Sequence, residues 1–166
     1  MKFVIDTDCL NFLLDFKIGK EILSKCEILI PYSILKELDV KHQKILKNYS
    51  YAIEDLLEGD RKYAGKLLQH ISGRKDNKKN YLNNRRLSSI HNIGEAEGGA
   101  IAKKFNIPIV LLDQKAHKTL RDVLRYSGIS VYRLSEFGIY ILENWGTPLQ
   151  VEEFKSESKK RFRINF

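Results

Sequence analysis

Short apolar runs alternate with stretches of helical periodicity along most of this chain. Four runs predict β-strands, at residues 2–6, 27–30, 107–112 and 129–134. A short edge strand is also predicted at residues 87–90. Apolar residues at helical spacing predict helices at residues 8–16, 20–25, 31–47, 51–57, 62–71, 94–105, 115–126 and 135–144. Strands that alternate with helices indicate parallel strands joined by right-handed crossover connections.

This order of elements predicts an α/β fold, a three-layer α/β/α sandwich around a central parallel sheet. The chain has 166 residues and 43% of them are hydrophobic, which suits one compact domain with a core of its own. We expect that domain to span residues 1–148. Within it, residues 49–86 are predicted to form a helical and basic insertion, and residues 149–166 follow it as a basic C-terminal tail.

The net charge is +8, from 29 Lys and Arg against 21 Asp and Glu. A basic surface is typical of proteins that bind polyanions, although many basic proteins bind none. The positive charge is most concentrated at residues 74–86, RKDNKKNYLNNRR, which we predict to be a loop or a weakly ordered helix. The predicted nucleic-acid contacts of this segment are Lys78, Lys79, Tyr81, Arg85 and Arg86. A solvated loop without a partner is the alternative.

Several classes of protein are not indicated. Cys9 and Cys26 have no partner at zinc-ligand spacing, so we expect two buried free thiols. The N-terminal apolar run meets Asp6 where a secretion signal would continue apolar. No apolar run approaches the roughly 18 residues that span a membrane. These features predict a cytoplasmic protein with no membrane partner.

Four acidic residues fall at corresponding ends of the predicted elements. Asp6 ends the first strand, and Asp113 follows the strand at 107–112. Glu37 and Glu95 lie in early turns of helices that adjoin these strands. Ligands of parallel α/β sheets bind beyond the carboxyl ends of the strands, where the strand order reverses. All four side chains are therefore predicted to share one edge of the sheet.

Carboxylates that share one cleft repel each other unless a cation neutralises them. Oxygen ligands favour Mg²⁺ or Mn²⁺, and two such ions about 3.5–4 Å apart can promote hydrolysis of a phosphodiester. Each acid also has a simpler explanation. Asp6 and Glu95 suit helix N-termini, Glu37 suits a solvated helix face, and Asp113 suits a turn. The four positions together, rather than any one of them, predict a metal site.

Four short motifs around these acids resemble those of the PIN-domain nucleases, a family of single-stranded RNA nucleases that includes VapC-like toxins. The motifs lie at residues 4–8 (VIDTD), 30–39 (IPYSILKELD), 94–102 (GEAEGGAIA) and 110–116 (VLLDQKA). No single motif is specific. Their order, and the eighteen residues from Glu95 to Asp113, fit the family. The resemblance covers about residues 1–145.

The resemblance implies strand order 3-2-1-4-5 and hydrolysis of single-stranded RNA that depends on Mg²⁺ or Mn²⁺. The implied ligands are Asp6, Glu37, Glu95 and Asp113. Thr7 matches the family's hydroxyl beside the first acid, and Asp8 would support the ligands from nearby. Glu97 competes with Glu95 as the third ligand, and we prefer Glu95 on spacing. For a toxin of a toxin–antitoxin pair, the further partners would be an antitoxin protein and a second copy of the chain.

The sequence also departs from the family. Gly98 and Gly99 stand where the family usually has Ala. Each glycine inside a helix costs about 1 kcal/mol relative to Ala, so either the helix is loosened there or another backbone packs very close. Residues 51–86 are longer than in a minimal toxin. These departures concern the toxin role and the helix, and they leave the carboxylate argument unchanged.

Three alternatives stay open. A catalytically silent relative would keep the PIN fold and bind RNA or a protein without cutting. The Asp-x-Asp at Asp6 also occurs in haloacid-dehalogenase phosphatases, but their following Gly-Thr is replaced here by Cys9-Leu10. A receiver domain would also have acids after its first strand. Near the fourth acid, His117 is expected to be a surface histidine.

Overall fold

The computed structural model describes residues 1–85, 87 and 90–162. Its strands are β1 (Lys2–Ile5), β2 (Glu27–Pro31), β3 (Tyr51–Glu54), β4 (Ile109–Leu111) and β5 (Val131–Arg133). Its α-helices are α1 (Thr7–Asp15), α2 (Lys17–Leu23), α3 (Tyr32–Glu37), α4 (Val40–Leu46), α5 (Glu58–Ser72), α6 (Lys75–Leu82), α7 (Ile93–Phe105), α8 (Gln114–Leu124), α9 (Leu134–Trp145) and α10 (Pro148–Phe162). Among the described residues, no helix is both long and apolar enough to cross a membrane.

The five strands form one sheet in the order β3-β2-β1-β4-β5, and every neighbouring pair is parallel. At its centre, Val4 of β1 lies opposite Leu29 of β2 on one side and Ile109 of β4 on the other. The sheet confirms the predicted α/β sandwich and the strand order 3-2-1-4-5. The order reverses beside β1, so the carboxyl ends of β1 and β4 adjoin there.

Alternate residues of the strands face two cores, one on each side of the sheet. On β1, Phe3 and Ile5 belong to one core and Val4 belongs to the other, and all three are fully buried. The first core packs the sheet against α1, α2, α9 and α10, and the second packs it against α5, α7 and α8. Both faces are therefore covered by helices, as parallel sheets require.

At the third strand, the prediction made from the hydrophobic pattern is wrong. The pattern predicts a helix at residues 51–57, but the chain forms β3 there. β3 lies at the edge of the sheet with partly exposed side chains, so it lacks the apolar alternation that marks a strand. The prediction of an edge strand at residues 87–90 is also wrong at its two ends, because neither Leu87 nor Ile90 lies in a strand. Residues 88 and 89 lie outside the described part of the chain.

The long predicted helix at 31–47 is two helices. The Asp39 carboxylate accepts a hydrogen bond from the His42 N–H (2.7 Å), and this cap begins α4 after a break in the chain direction. The insertion at 49–86, predicted to be helical, contains the strand β3 as well as the helices α5 and α6. The basic segment within it, predicted to be a loop or a weak helix, forms α6 over most of its length.

The basic C-terminal segment forms α10 and packs onto the domain. Phe154 is fully buried, and its ring centroid lies 6.0 Å from that of Phe12 in α1. Arg161 forms a salt bridge with Asp15 (2.8 Å) at the other end of the helix. Residues 148–162 are therefore part of the fold, while 163–166, which include Arg163 of the predicted tail, lie outside the described residues.

Two glycines allow α7 to pack closely against the sheet and its neighbouring helices. A Cβ on Gly98 would lie 3.1 Å from the side chains of Val4 and Ile109, on the two central strands. A Cβ on Gly99 would lie 2.8 Å from Leu67 of α5 and 3.3 Å from Leu120 of α8. Neither explanation that the sequence left open is correct as stated, because α7 is continuous and side chains, rather than another backbone, make the close approach.

We expect Gly99→Ala to lower the free energy of unfolding by up to about 2 kcal/mol, measured by urea denaturation. Alanine favours the helix by about 1 kcal/mol, but the new methyl would lie 2.8 Å from a terminal methyl of the fully buried Leu67, which must repack at a cost of about 1–3 kcal/mol. Gly59→Ala in α5 is the matched control, because a Cβ there meets nothing within 4 Å. Equal effects of the two substitutions would contradict the close-packing explanation.

Candidate active site

The four predicted acids lie at the carboxyl edge of the sheet. Asp6 follows β1 directly and is the N-cap of α1, and Asp113 follows β4 after one residue and is the N-cap of α8. Glu37 is the last residue of the short helix that leaves β2. Glu95 lies in the first turn of α7, which crosses this edge. The structure thus brings the four positions to one side of the molecule.

Asp6 is the most buried of the four, with 5% of its surface exposed. Its Oδ1 accepts a hydrogen bond from the Cys9 N–H and its Oδ2 accepts one from the Leu112 N–H, both at 2.7 Å. Burial nevertheless raises the pKa of Asp6 from its ordinary value of 3.8 to about 7, and the negative charge of Glu95 adds to this effect. Asp6 is therefore a fixed carboxylate that is only weakly acidic.

Glu95 is the residue that links the other acids. Burial raises its pKa first, and the charges of Glu37 and Asp113 raise it further. The Asn92 amide donates a hydrogen bond to its Oε1 (3.1 Å) and partly offsets these effects. Glu95 therefore lies within electrostatic reach of the other three acids, because the pKa of Asp6 also responds to its charge.

Glu37 is exposed and is held by Thr7, whose hydroxyl donates a hydrogen bond to its Oε2 (2.5 Å). Gly94 makes room for this arrangement, since a Cβ there would lie 3.0 Å from Ile34 and 3.8 Å from the same oxygen. Thr7, predicted to lie beside the first acid, thus contacts the second. Asp8, predicted to support the ligands, is exposed in the first turn of α1, and no hydrogen bond joins it to the four acids in the described part of the chain.

Glu97 and Glu95 have different partners in the structure. Glu97 accepts a hydrogen bond from the Tyr81 hydroxyl (2.7 Å), and its charge, together with burial, raises the pKa of Tyr81 well above the ordinary value. Glu97 is thus held by α6, whereas Glu95 responds to the other acids. Tyr81 is only 2% exposed, so the prediction that it stacks on a base is wrong for this conformation.

The donors suit a hard divalent cation, but they are not yet assembled around one. All are carboxylate oxygens, and none of the four acids forms a salt bridge with any described Lys, Arg or His. However, no three Asp, Glu, His or Cys side chains among the described residues lie close enough together to hold a metal ion. The residue types fit Mg²⁺ or Mn²⁺, and binding by three or more of them would require their side chains to rearrange.

Two basic residues that share a groove with Glu37 and Glu95 are not ones that sequence reasoning selected. Lys78 and Lys79 line a separate shallow groove of about 470 Å³ on the outer side of α6. Arg85 is exposed, and Arg86 lies outside the described residues. A larger groove of about 1100 Å³ adjoins Glu37 and Glu95, and its basic side chains include Lys36 and Arg61.

The sequence carries a signal for only one of these two basic residues. Lys36 precedes Glu37 directly and lies inside the second acidic motif, so proximity along the chain could have indicated it. Arg61 lies on α5, far from every motif, and only the packing of helices brings it to the groove. His117, expected at the surface, is 3% exposed and lies against β5, with Nε2 3.2 Å from the Val131 carbonyl oxygen.

Comparisons with protein-family models, with curated proteins and with solved structures find no match to this chain. The resemblance to PIN-domain nucleases therefore rests on the four sequence motifs. The family assignment, and every function that follows from it, stays an inference from these residues and their arrangement.

We expect the titration of Asp6 to make the metal-free protein less stable as pH rises from about 4 to 7. Within this window the folded protein keeps a proton on Asp6 that the unfolded chain has lost, so each pH unit lowers the free energy of unfolding by up to about 1.4 kcal/mol. His117 gives the opposite slope below its ordinary pKa of 6.5, because burial lowers its pKa.

The measurement is urea denaturation in EDTA across this pH range, for the parent and for Asp6→Asn. The variant lacks the titrating group but keeps His117, so the difference between the two slopes isolates Asp6. A variant slope equal to that of the parent would show that the Asp6 carboxyl has an ordinary pKa.

Proposed function

We propose that the protein is a metal-dependent ribonuclease of the PIN-domain type, which hydrolyses phosphodiester bonds in single-stranded RNA. One observation carries the proposal. Four carboxylates from four different elements lie along the carboxyl edge of a parallel sheet, where burial and the charges of neighbouring acids raise the pKa of Asp6 and Glu95. The net charge of +8 and the four motifs support a nucleic acid as the substrate.

The proposed ligands are Asp6, Glu37, Glu95 and Asp113. Mg²⁺ or Mn²⁺ bound by their oxygens would lower the pKa of a water molecule and neutralise charge on the phosphate. The chain itself positions all four carboxylates through hydrogen bonds. Asp6 accepts the Cys9 and Leu112 N–H groups, and Asp113 accepts the Ala116 N–H. Glu37 accepts the Thr7 hydroxyl, and Glu95 accepts the Asn92 amide.

Repulsion among the carboxylates opposes their approach to one point unless a cation neutralises them. Asp6 is fixed by two N–H groups, so the other three side chains would close toward it. Glu37 and Glu95 have three rotatable side-chain bonds each and lie on the surface of the groove, which gives them room to move. The cost of desolvating these charges is then offset by the cation rather than by the fold.

The alternative is a catalytically silent PIN fold that binds RNA or a protein. The observation in its favour is that no three ligands are preassembled in the described residues. A role as a toxin, with an antitoxin protein and a second copy of the chain as partners and the cytoplasm as its location, is a further proposal. It rests on the resemblance alone, and the longer segment at 51–86 counts against a minimal toxin.

We expect the parent protein to cleave labelled single-stranded RNA in the presence of Mn²⁺ and not in EDTA. Asp113→Asn and Glu95→Gln should each lower the rate on the order of a hundredfold or more, because each removes a ligand charge. Asparagine can keep the Asp113 cap on the Ala116 N–H (2.6 Å), so loss of activity would not reflect loss of the helix cap.

Glu97→Gln is the matched control on the same helix, two residues from Glu95. Glutamine can still accept the hydrogen bond from Tyr81, so we expect this variant to keep most of the activity. Equal cleavage by the parent and by Asp113→Asn would indicate a contaminating nuclease. Greater loss in Glu97→Gln than in Glu95→Gln would assign the third ligand to Glu97 instead.

Mn²⁺ should also raise the thermal stability of the parent, by about 2.7 kcal/mol when free Mn²⁺ is one hundred times its dissociation constant. Glu95→Gln should lose most of this gain. If Mn²⁺ stabilises neither protein and no cleavage occurs, the silent-module alternative stands in place of the enzyme.

A further inference from the structure

The groove beside the acids is large enough for more than a metal site. Its volume of about 1100 Å³ exceeds the roughly 300–1,000 Å³ that encloses a drug-sized molecule. Its walls come from α3, the end of β3, α5, α6 and the start of α7, and Glu37 and Glu95 lie along it. A ligand in this groove would therefore pass directly beside the carboxylates.

Arg61 is held in this groove by neutral partners and has no salt bridge among the described residues. Its Nη2 donates a hydrogen bond to the Asn84 amide oxygen (2.6 Å), and its guanidinium lies 5.2 Å from the centre of the Tyr81 ring. It forms no salt bridge with any described carboxylate. A half-buried guanidinium held by neutral partners keeps its remaining N–H groups available to an anion.

Neighbouring cations on the same side of the protein differ from Arg61 in this respect. Lys104 pairs with Glu54 (2.5 Å) and Asp60 (3.4 Å), and Lys62 pairs with Glu58 (2.6 Å). Arg61 is also locked indirectly, because Tyr81 is itself fixed by its hydrogen bond to Glu97. The rigid chain from Arg61 through Tyr81 to α7 connects the guanidinium to the helix that carries Glu95.

Tyr32 supplies an aromatic surface in the same groove. It is the first residue of α3 and is 49% exposed, so one part of its ring is open to a ligand. The Lys36 Nζ lies 4.5 Å from the centre of its ring and adds positive charge next to Glu37. An exposed ring combined with basic residues along a groove is the pattern by which proteins bind single-stranded nucleic acid.

We propose that this groove binds single-stranded RNA, with Arg61 on a backbone phosphate and Tyr32 stacked on a base. The inference rests on the proposed ribonuclease function for the identity of the ligand. This proposal assigns the RNA contacts to residues of α3 and α5, instead of Lys78 and Lys79 of α6. Five acids line the groove as well, namely Glu37, Glu54, Asp55, Glu95 and Glu97. Lys104 neutralises Glu54, and the proposed cation would offset Glu37 and Glu95, so Asp55 and Glu97 are the charges that oppose the RNA.

The test is fluorescence anisotropy with a labelled single-stranded RNA, in the Asp113→Asn background so that the RNA stays intact, with Mg²⁺ and again with EDTA. Arg61→Gln should weaken binding about tenfold and reduce the slope of log K against log salt by about 0.7, the value for one phosphate contact of a single strand. Lys66→Gln removes the same charge from an exposed position of α5 outside the groove, and should change binding less than twofold.

Tyr32→Ala should also weaken binding about tenfold through the loss of stacking. Tyr126→Ala is its control, because Tyr126 is 84% exposed and also has a basic partner, Arg125, but lies away from the groove. Arg61→Gln and Lys66→Gln with equal affinities, or Tyr32→Ala and Tyr126→Ala with equal affinities, would overturn the corresponding contact. RNA that fails to bind under both conditions would overturn the inference as a whole.

If Arg61→Gln does not fold, Asn84→Asp provides a second test of the contact between Arg61 and RNA. A carboxylate at 84 would retain the hydrogen bond but neutralise the guanidinium, so we expect a similar loss of RNA affinity. Asn83→Asp adds the same charge at the neighbouring position, which faces the other groove, and serves as its control. We expect Asn84→Asp to lose more RNA affinity than Asn83→Asp. Equal affinities of these two variants would contradict the role of Arg61.

The outcomes separate this inference from the ribonuclease proposal. RNA binding that depends on Arg61, without Mn²⁺-dependent cleavage by the parent, would support the groove and reject the enzyme. Cleavage by the parent, with RNA affinity that is insensitive to Arg61 and Tyr32, would support the enzyme and reject the groove.

Discussion

The Asp6 carboxylate joins the centre of the sheet to the first helix. One oxygen accepts the Cys9 N–H and so begins α1, while the other accepts the Leu112 N–H directly after β4. Both bonds are 2.7 Å long, and the group between them is almost completely buried. Since these bonds do not fully offset burial, the pKa of Asp6 rises to about 7. The charge that organises this edge is therefore also a cost to the fold, and the charge of Glu95 adds to it.

The depth at which α7 packs decides where the third acid lies. Gly98 and Gly99 let the helix approach β1, β4, α5 and α8, and Gly94 lets its first turn approach Ile34 on α3. A side chain at Gly94 would push the first turn outward, and Glu95 would move away from Glu37 with it. The glycines that seemed to weaken this helix are thus what brings its carboxylate into the cluster, in exchange for some helix propensity.

Sequence reasoning succeeded where a feature depends on neighbours along the chain. Asp6 and Asp113 each follow an apolar run, so a strand and its terminal acid could be predicted together. β3 could not, because its four residues are defined by pairing with β2 across the sheet rather than by their own pattern. Local charge density pointed to Lys78 and Lys79, whereas Arg61 reaches the groove only through contacts of α5 with α6, which no spacing in the sequence encodes.

The four acids differ in how well the fold alone explains them. Asp6 accepts two N–H groups, and asparagine would place an NH₂ against one of them, so a carboxylate is favoured there even without a metal. Asp113 caps α8, and Glu37 accepts from Thr7, so each of these has some structural use as well. Glu95 has less.

Glu95 accepts hydrogen bonds from the Asn92 amide and from its own backbone N–H, and it lies in the first turn of α7, where a negative charge is favourable. Burial and two neighbouring acids oppose its charge, and the net effect is a raised pKa. Glu95 is not the N-cap of α7, so Glu95→Gln removes this charge without removing a helix cap. For this reason Glu95, rather than the more deeply buried Asp6, is the residue whose substitution best distinguishes a metal-dependent enzyme from a silent relative of the same fold.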